Sequence, residues 1–457
     1  MATCAPTAHW IGDAPKKDIN SQGWSRTGIE SYSVMEPMMR LYKLTGDKRY
    51  LDFCTYLIEK GGCRGANIFQ ESLDNVRPRK MGNGYPKAYE MLSVYEGLAE
   101  YYRCTGDAKW KKAIMNLFEN LKKYEITIIG NGGADQPYFP KWRGEAWDDT
   151  ALEQTNPKIE RMMETCAGVT WMKLCSQILR LTGDASAVDY IEKYVYNGLL
   201  GAMKPGGNGF SYVNLLNGRK VTDSGWGTSV NGMAVTCCNL SGPMGLAYIP
   251  YVAVMQAKQG PVINLYNAAK VNALTAKGRN VALSIDTRFP LNNQVTITVN
   301  PVKDEKFDIK LRIPGWSQNT RLKVNGEDMG PVEAGKYFTL TRKWAKGDKI
   351  ELTLDMRCKL IDAPHGSNPA GWNYQAVIYG PIVLARDENI DADYNKPVQV
   401  KADANGEVQL TAVDPTRVGT RMEFIVPTTS GNIRMVDYSS VDGWKGKNVC
   451  TWLPKVQ

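Results

Sequence analysis

The sequence predicts a multidomain α + β chain, helical in its first half and β-rich in its second. Three observations lead there. Up to about residue 258 apolar residues recur at helical spacing, and after about residue 261 they alternate with period two. A helix–Thr-Gly-Asp–helix pattern also occurs three times in the first half. With 457 residues, 43% hydrophobic and 23% charged, the composition is that of an ordinary globular protein. At roughly 150 residues per domain there is room for two or three cores. The expected domains are 1–258 (helical, catalytic), 259–372 (β-sandwich) and 373–457 (a C-terminal β-rich module).

Residues 30–44 carry Tyr32, Val34, Met35, Met38, Met39 and Leu41 on one stripe. Residues 89–102 and 166–181 repeat the arrangement, so each reads as an amphipathic helix. Each is followed by Thr-Gly-Asp, at Gly46, Gly106 and Gly183. The glycine supplies a left-handed helix stop and the aspartate can cap the next helix. Those next helices are expected at 49–59, 110–124 and 187–200. Such hairpins stack into an α/α solenoid or close into an α/α toroid, and the turns themselves need carry no function. Residues 281–285, 295–299, 307–311 and 349–354 then alternate apolar and polar side chains. Asn292-Asn293, Pro314-Gly315, Asn325-Gly326 and Lys346-Gly347 punctuate them, which reads as a β-sandwich.

Charge and special residues exclude several functions. There are 56 basic and 47 acidic residues, a net +9 without any long basic run, so no nucleic-acid partner is expected. No apolar run approaches the roughly 18 residues of a membrane helix, so no membrane span is expected. The first residues lack the charged and apolar segments of a secretory signal. The compartment stays open, periplasmic or cytoplasmic if the natural start lies further upstream. Two histidines, His9 and His365, leave little material for histidine chemistry. Ten cysteines in this length do not make a disulfide scaffold.

Three stretches could carry chemistry. Glu164-Thr165-Cys166 is followed 71 residues after its cysteine by Cys237-Cys238. Three thiols and a carboxylate make a tetrahedral zinc set. By spacing alone, buried structural cysteines with a vicinal disulfide are an equal reading. Glu164 and Cys166 converge only if a helix starts between or just after them, because two helical residues apart is roughly 200° around the axis. In Trp142-Arg143-Gly144-Glu145-Ala146-Trp147-Asp148-Asp149, Glu145 is a candidate general acid whose pKa a neighbouring indole would raise. A solvated acidic loop is the plainer reading. Glu192, Tyr194-Val195-Tyr196-Asn197-Gly198 and Phe210-Ser211-Tyr212-Val213-Asn214 suit a hydroxyl-rich ligand, or equally a packed core.

Taken together, Glu164-Thr165-Cys166-Ala167, Tyr196-Asn197-Gly198, Phe210-Ser211-Tyr212-Val213-Asn214, Cys237-Cys238 and Leu311-Arg312-Ile313-Pro314-Gly315-Trp316 resemble the β-L-arabinofuranosidase family of glycoside hydrolases, family 127 and its relatives. The resemblance runs over residues 28–385. It implies an α/α toroid followed by β-sandwich domains, and a retaining exo-glycosidase with a zinc-bound cysteine nucleophile. By the same resemblance Cys237 is the nucleophile, Glu145 the acid/base, and Glu164, Cys166, Cys237 and Cys238 the Zn2+ ligands. Glu192, Tyr212 and Trp147 are expected to contact the sugar. The implied substrate is an oligosaccharide or polysaccharide side chain of plant cell-wall type.

Two departures accompany it. Neither histidine lies in a motif of the family, and Asn83-Gly84-Tyr85-Pro86 stands where one is expected, so the sugar pocket is expected to be altered. A toroid of about six hairpins also exceeds the three found here, so it is expected to be incomplete. The alternative function is a carbohydrate-binding member that keeps the zinc site without catalysis. The sugar, its linkage and the oligomeric state are left open by the sequence.

Overall fold

The structure, a computed structural model, describes residues 19–21, 27–135, 145–156, 161–218, 229–230, 233–234, 236–364, 371–442 and 447–456. Among the described residues, seven helices of eight or more residues build the first region: α1 (Met35–Thr45), α2 (Lys48–Glu59), α3 (Ala88–Thr105), α4 (Ala108–Tyr124), α5 (Thr165–Thr182), α6 (Ser186–Lys193) and α7 (Cys237–Ala253). The α-helix begins at Met35 rather than at residue 30, with a 3-10 turn, Ile29–Val34, before it. Pro37 explains the start, because its ring is accommodated in the first turn of a helix and not in its interior.

The Thr-Gly-Asp turns close α1, α3 and α5. Gly46, Gly106 and Gly183 sit at φ 72°, 72° and 70°, and nothing lies within 4 Å of where a Cβ would be. These glycines are therefore set by backbone conformation and not by space. Asp47 and Asp107 cap α2 and α4 through Arg49 N (3.0 Å) and Lys109 N (3.2 Å), and Asp184 accepts from Ser186 N at 2.9 Å.

The hairpins pack side by side. α1 lies against α3, α3 against α5 and α5 against α7, while α2, α4 and α6 back α1, α3 and α5. Their apolar stripes meet in one core around Met35, Leu57, Leu98, Phe118 and Trp171. Among the described residues this is a row of four inner helices, and a closed toroid is not established. The row brings the N-termini of α3, α5 and α7 to the same end as the long loops that precede them.

The expected helix 187–200 is broken. After α6, Tyr194–Leu199 widens into a π turn. Tyr194 lies over Gly168 of α5, where any side chain would collide with its ring, and donates its hydroxyl to Thr165 O at 2.9 Å.

The second half is sheet. A six-stranded sheet holds Ala269–Leu274, Asn280–Thr287, Gln294–Pro301, Asp348–Thr353, Arg321–Val324 and Glu327–Asp328 in that order. A four-stranded sheet holds Tyr337–Trp344, Glu305–Arg312, Gly260–Ile263 and Val254–Ala257. Alternate residues such as Val281, Leu283, Ile297, Ile309 and Leu311 point into one shared core, which is what period-two sequence dictates. A nine-stranded C-terminal sheet follows. It recruits Cys358–Asp362, which pairs with Tyr374–Tyr379, and Asn217–Gly218 from the helical half, which pairs with Val449–Cys450. No helix among the described residues is long and apolar enough to cross a membrane.

Two polar clamps join the halves. Arg312, fully buried, pairs with Asp189 and Glu192 of α6 and donates to Asn264 O at 2.7 Å. Asn197 in the π turn donates to Pro381 O (2.9 Å) and accepts from Val383 N (2.8 Å).

Candidate active site

The site forms where α3, α5 and α7 begin. Glu164 is the residue before α5 and Cys166 lies in its first turn. Thr236 caps α7 by accepting from Asn239 N at 3.2 Å, which places Cys237 and Cys238 at the first two helical positions. Because Glu164 is extended (φ −62°, ψ 140°) and Cys166 is helical, the two side chains converge. A regular helix would point them apart. The loop strand behind them is fixed by Thr165 N to Tyr212 O (3.0 Å) and Asn131 Nδ2 to Glu164 O (2.9 Å).

The sulfurs of Cys166, Cys237 and Cys238 all lie within 4.8 Å of one another. Cys237 Sγ is 3.8 Å from Cys166 Sγ and 3.9 Å from Cys238 Sγ, and Glu164 Oε2 is 3.7 Å from Cys166 Sγ. The cysteines are free, not disulfide-bonded. A tetrahedral ion with metal–sulfur bonds of about 2.3 Å would space its sulfurs about 3.8 Å apart, so the three thiols fit such an ion. Among the described residues Glu164 Oε1 is buried without a hydrogen-bond partner, an arrangement a carboxylate tolerates when a cation takes the oxygen. Cys166 and Cys238 are buried, and Cys237 is exposed. It is the sulfur a ligand can reach.

Glu145 enters from its own loop. Its carboxylate takes the Tyr212 hydroxyl on one oxygen and the Lys87 ammonium on the other. Tyr212 Oη also lies 3.9 Å from Cys237 Sγ, so the acid and the exposed thiol share a neighbour. Backbone conformation is forced here: Glu145, Asp149 and Met163 have φ of 70°, 59° and 59°. Each such residue costs on the order of 1–3 kcal/mol, a pattern typical of functional loops. Glu125 holds the same loop by accepting from the backbone N–H of Asp148, Asp149 and Thr150 at 3.0–3.1 Å.

The charges are arranged asymmetrically. Burial opposes a charge on Glu145, but the Lys87 ammonium and hydrogen bonds from Glu164, Lys87 and Tyr212 outweigh it and hold this carboxyl below its usual range. Glu164 goes the other way, pushed well above that range by burial and by the charge of Glu145. The neighbouring Cys166 and Cys238 thiols, and to a smaller extent the Tyr212 hydroxyl, draw the Cys237 thiol far down despite burial. Its place at a helix N-terminus acts in the same direction.

The structure thus brings together Glu145, Glu164, Cys166, Tyr212, Cys237 and Cys238. Two residues expected to contact sugar lie elsewhere. Both oxygens of Glu192 are taken, by Arg312 and by Trp316 Nε1 at 2.7 Å each, so it serves the clamp between the halves. Trp147 is fully buried in the helical core against Gly132, and an enclosed indole presents no face for a sugar ring. Trp142, His9 and His365 fall outside the described residues. Lys87 and Asn131 had no sequence signal, because a single lysine or asparagine in a loop looks like any other.

A helical domain followed by sheets gathers thiols and carboxylates at helix starts, and comparison with known proteins identifies the class, a glycoside hydrolase. The catalytic-domain model of GH127 β-L-arabinofuranosidases matches residues 5–251 and the GH127 middle-domain model matches 261–356. The chain belongs to the GH127 β-L-arabinofuranosidase family. It is 25% identical over 403 residues to a non-reducing end β-L-arabinofuranosidase of Bifidobacterium longum subsp. longum, covering 79% of this chain and 58% of that protein. The chain therefore spans a little over half the length of this curated relative. A GH127 β-L-arabinofuranosidase structure from Geobacillus stearothermophilus T6 has the same fold, with TM-score 0.76, 21% identity, and coverage of 99% of this chain and 76% of its own. A second GH127 β-arabinofuranosidase gives TM-score 0.74 at 21% identity, covering 98% and 72%.

Proposed function

We propose that this chain is a retaining exo-glycosidase that releases a terminal β-L-arabinofuranose or a related sugar from a glycan side chain of plant cell-wall type. Cys237 is its nucleophile and Glu145 its acid/base. The observation that carries this reading is the convergence of an exposed thiol, two buried thiols and two carboxylates. Glu164, Cys166, Cys237 and Cys238 are the residues that would hold Zn2+. A dication bound there supplies the charge that keeps the cysteines as thiolates. The four inner helices are read as part of an α/α toroid, with the β regions as sandwich domains.

In the first step Cys237 Sγ forms a bond to the anomeric carbon. The glycosidic C–O bond breaks, and the departing oxygen takes the proton of Glu145. In the second, water attacks the same carbon, Glu145 accepts its proton, and the C–S bond breaks with its electron pair returning to sulfur. Two inversions give retention. Glu145 must begin protonated. The Lys87 ammonium favours its anion in the free site, so Glu145 takes up a proton as the glycan binds. Tyr212 steadies the carboxylate beside the sulfur.

The test is metal analysis together with NMR of the hydrolysis of an aryl β-L-arabinofuranoside. About one zinc per chain and a β-configured first product are expected. Zinc without turnover across a broad panel of furanosides and pyranosides would favour a carbohydrate-binding role. A Cys237–Cys238 disulfide in freshly reduced, metal-free protein would end the reading.

A further inference from the structure

Lys87 is the least expected member of the site. It is 1% exposed, in the class of side chain that is almost never enclosed without a charged partner. It is the residue before α3, and its chain neighbours grip the Glu145 loop through the backbone: Lys87 bridges Ala146, and Ala88 N donates to Glu145 O at 2.9 Å. Its ammonium pairs with Glu145 Oε2, while Tyr212 takes Oε1 from the opposite side. Glu90, three residues on and also buried, adds a second carboxylate beside the ammonium. Glu145 itself stands on strained backbone at φ 70°.

We infer that Lys87 is a positioning residue of the active site: its ammonium fixes the Glu145 carboxyl against Tyr212 and beside Cys237, so that Lys87 and Glu145 act as one unit in proton transfer. The inference rests on the proposed acid/base role of Glu145. Two donors on opposite oxygens leave the carboxyl group one orientation. Remove the ammonium and Oε2 of a side chain on a strained loop loses its cationic anchor. A displacement of about 1 Å at such a group can cost on the order of 100-fold in rate.

The test uses Lys87→Met, Lys87→Arg, Glu145→Gln and the double variant Lys87→Met/Glu145→Gln, assayed on alkyl and aryl β-L-arabinofuranosides. Lys87→Met should lower kcat on the alkyl glycoside about 10- to 100-fold, with less loss on the aryl glycoside and little change in KM. That leaving-group signature belongs to proton transfer and not to general damage. Lys87→Arg should recover most of the loss. The double variant should be no slower than Glu145→Gln alone. Equal losses on both substrates, or losses that multiply in the double variant, would overturn the inference. Crystal structures decide the same point without turnover. In Lys87→Met the Glu145 carboxyl should leave Tyr212, and in Lys87→Arg it should stay. A carboxyl unmoved in Lys87→Met refutes Lys87 as the positioning group. Full activity of Glu145→Gln on both substrates would instead remove the acid/base role.

Discussion

Two regions of the molecule enclose carboxylates among charged partners, and they are built for different ends. At the clamp between the halves, Glu192 and Asp189 meet the buried guanidinium of Arg312, and Trp316 and Gly315 N take further oxygen valence. At the cysteine cluster, Glu164 keeps one buried oxygen without a partner among the described residues, Glu145 and Glu164 oppose each other's charge, and the backbone at Glu145 and Met163 is left-handed. A satisfied network rigidifies, whereas an unsatisfied and strained one is poised for a ligand. Burial and charge alone do not tell the two apart. Whether every acceptor already has its donor does.

Variants should separate the regions, and the largest effect is expected at the sulfur. Cys237→Ser should lower turnover by at least on the order of 10³-fold while leaving thermal unfolding of the metal-free protein nearly unchanged. Activity within a few-fold of wild type would break the contrast. Arg312→Met should do the reverse. It strands the buried Glu192 carboxylate and leaves the partly exposed Asp189 unpaired, so about 3 kcal/mol of stability is lost, read by denaturant unfolding. Metal content and kcat of the folded fraction should be unchanged.

Much of this contrast was legible in the sequence, but unevenly. The hairpins could be read because an amphipathic stripe and a left-handed glycine stop are local signals, and the strands because alternation is local too. The Glu164–Cys166 and Cys237–Cys238 motifs stood out because thiols are few. What failed was long-range pairing. Glu192 suits a sugar hydroxyl when read alone, but its partner Arg312 lies 120 residues away. Trp147 beside an acid suits a pocket wall, and only the close approach of Gly132 shows it to be core. Lys87 gains meaning from Glu145, 58 residues on, through a loop contact that no periodicity encodes.

Smaller effects sharpen the comparison within the metal set. Glu164→Gln should reduce the zinc retained after dialysis against a weak chelator, whereas Glu192→Gln should retain zinc as wild type does. Equal zinc loss in both would mean the clamp reaches the site. The smallest effect concerns a third carboxylate, Glu100, on α3. Burial opposes its charge, but Arg103, Gln177, Lys43 and Arg180 together hold it down to about 2 from an ordinary 4.5. A depressed carboxyl stabilises the fold above its unfolded value and loses that contribution as pH falls through its folded value. Glu100→Gln should therefore lower the melting temperature by a few degrees at neutral pH. The difference from wild type should shrink between about pH 4.5 and 2, and a pH-independent difference would show that packing alone is lost.

Covalent labelling tests the central claim most directly. Metal-loaded full-length protein is treated with an electrophilic β-L-arabinofuranose analogue, digested and mapped by mass spectrometry. The account predicts one sugar adduct per chain, at Cys237, prevented by substrate and absent from Cys237→Ser. An adduct at Cys238 or Cys166, or none from an analogue that competes with substrate for the site, would contradict Cys237 as the nucleophile.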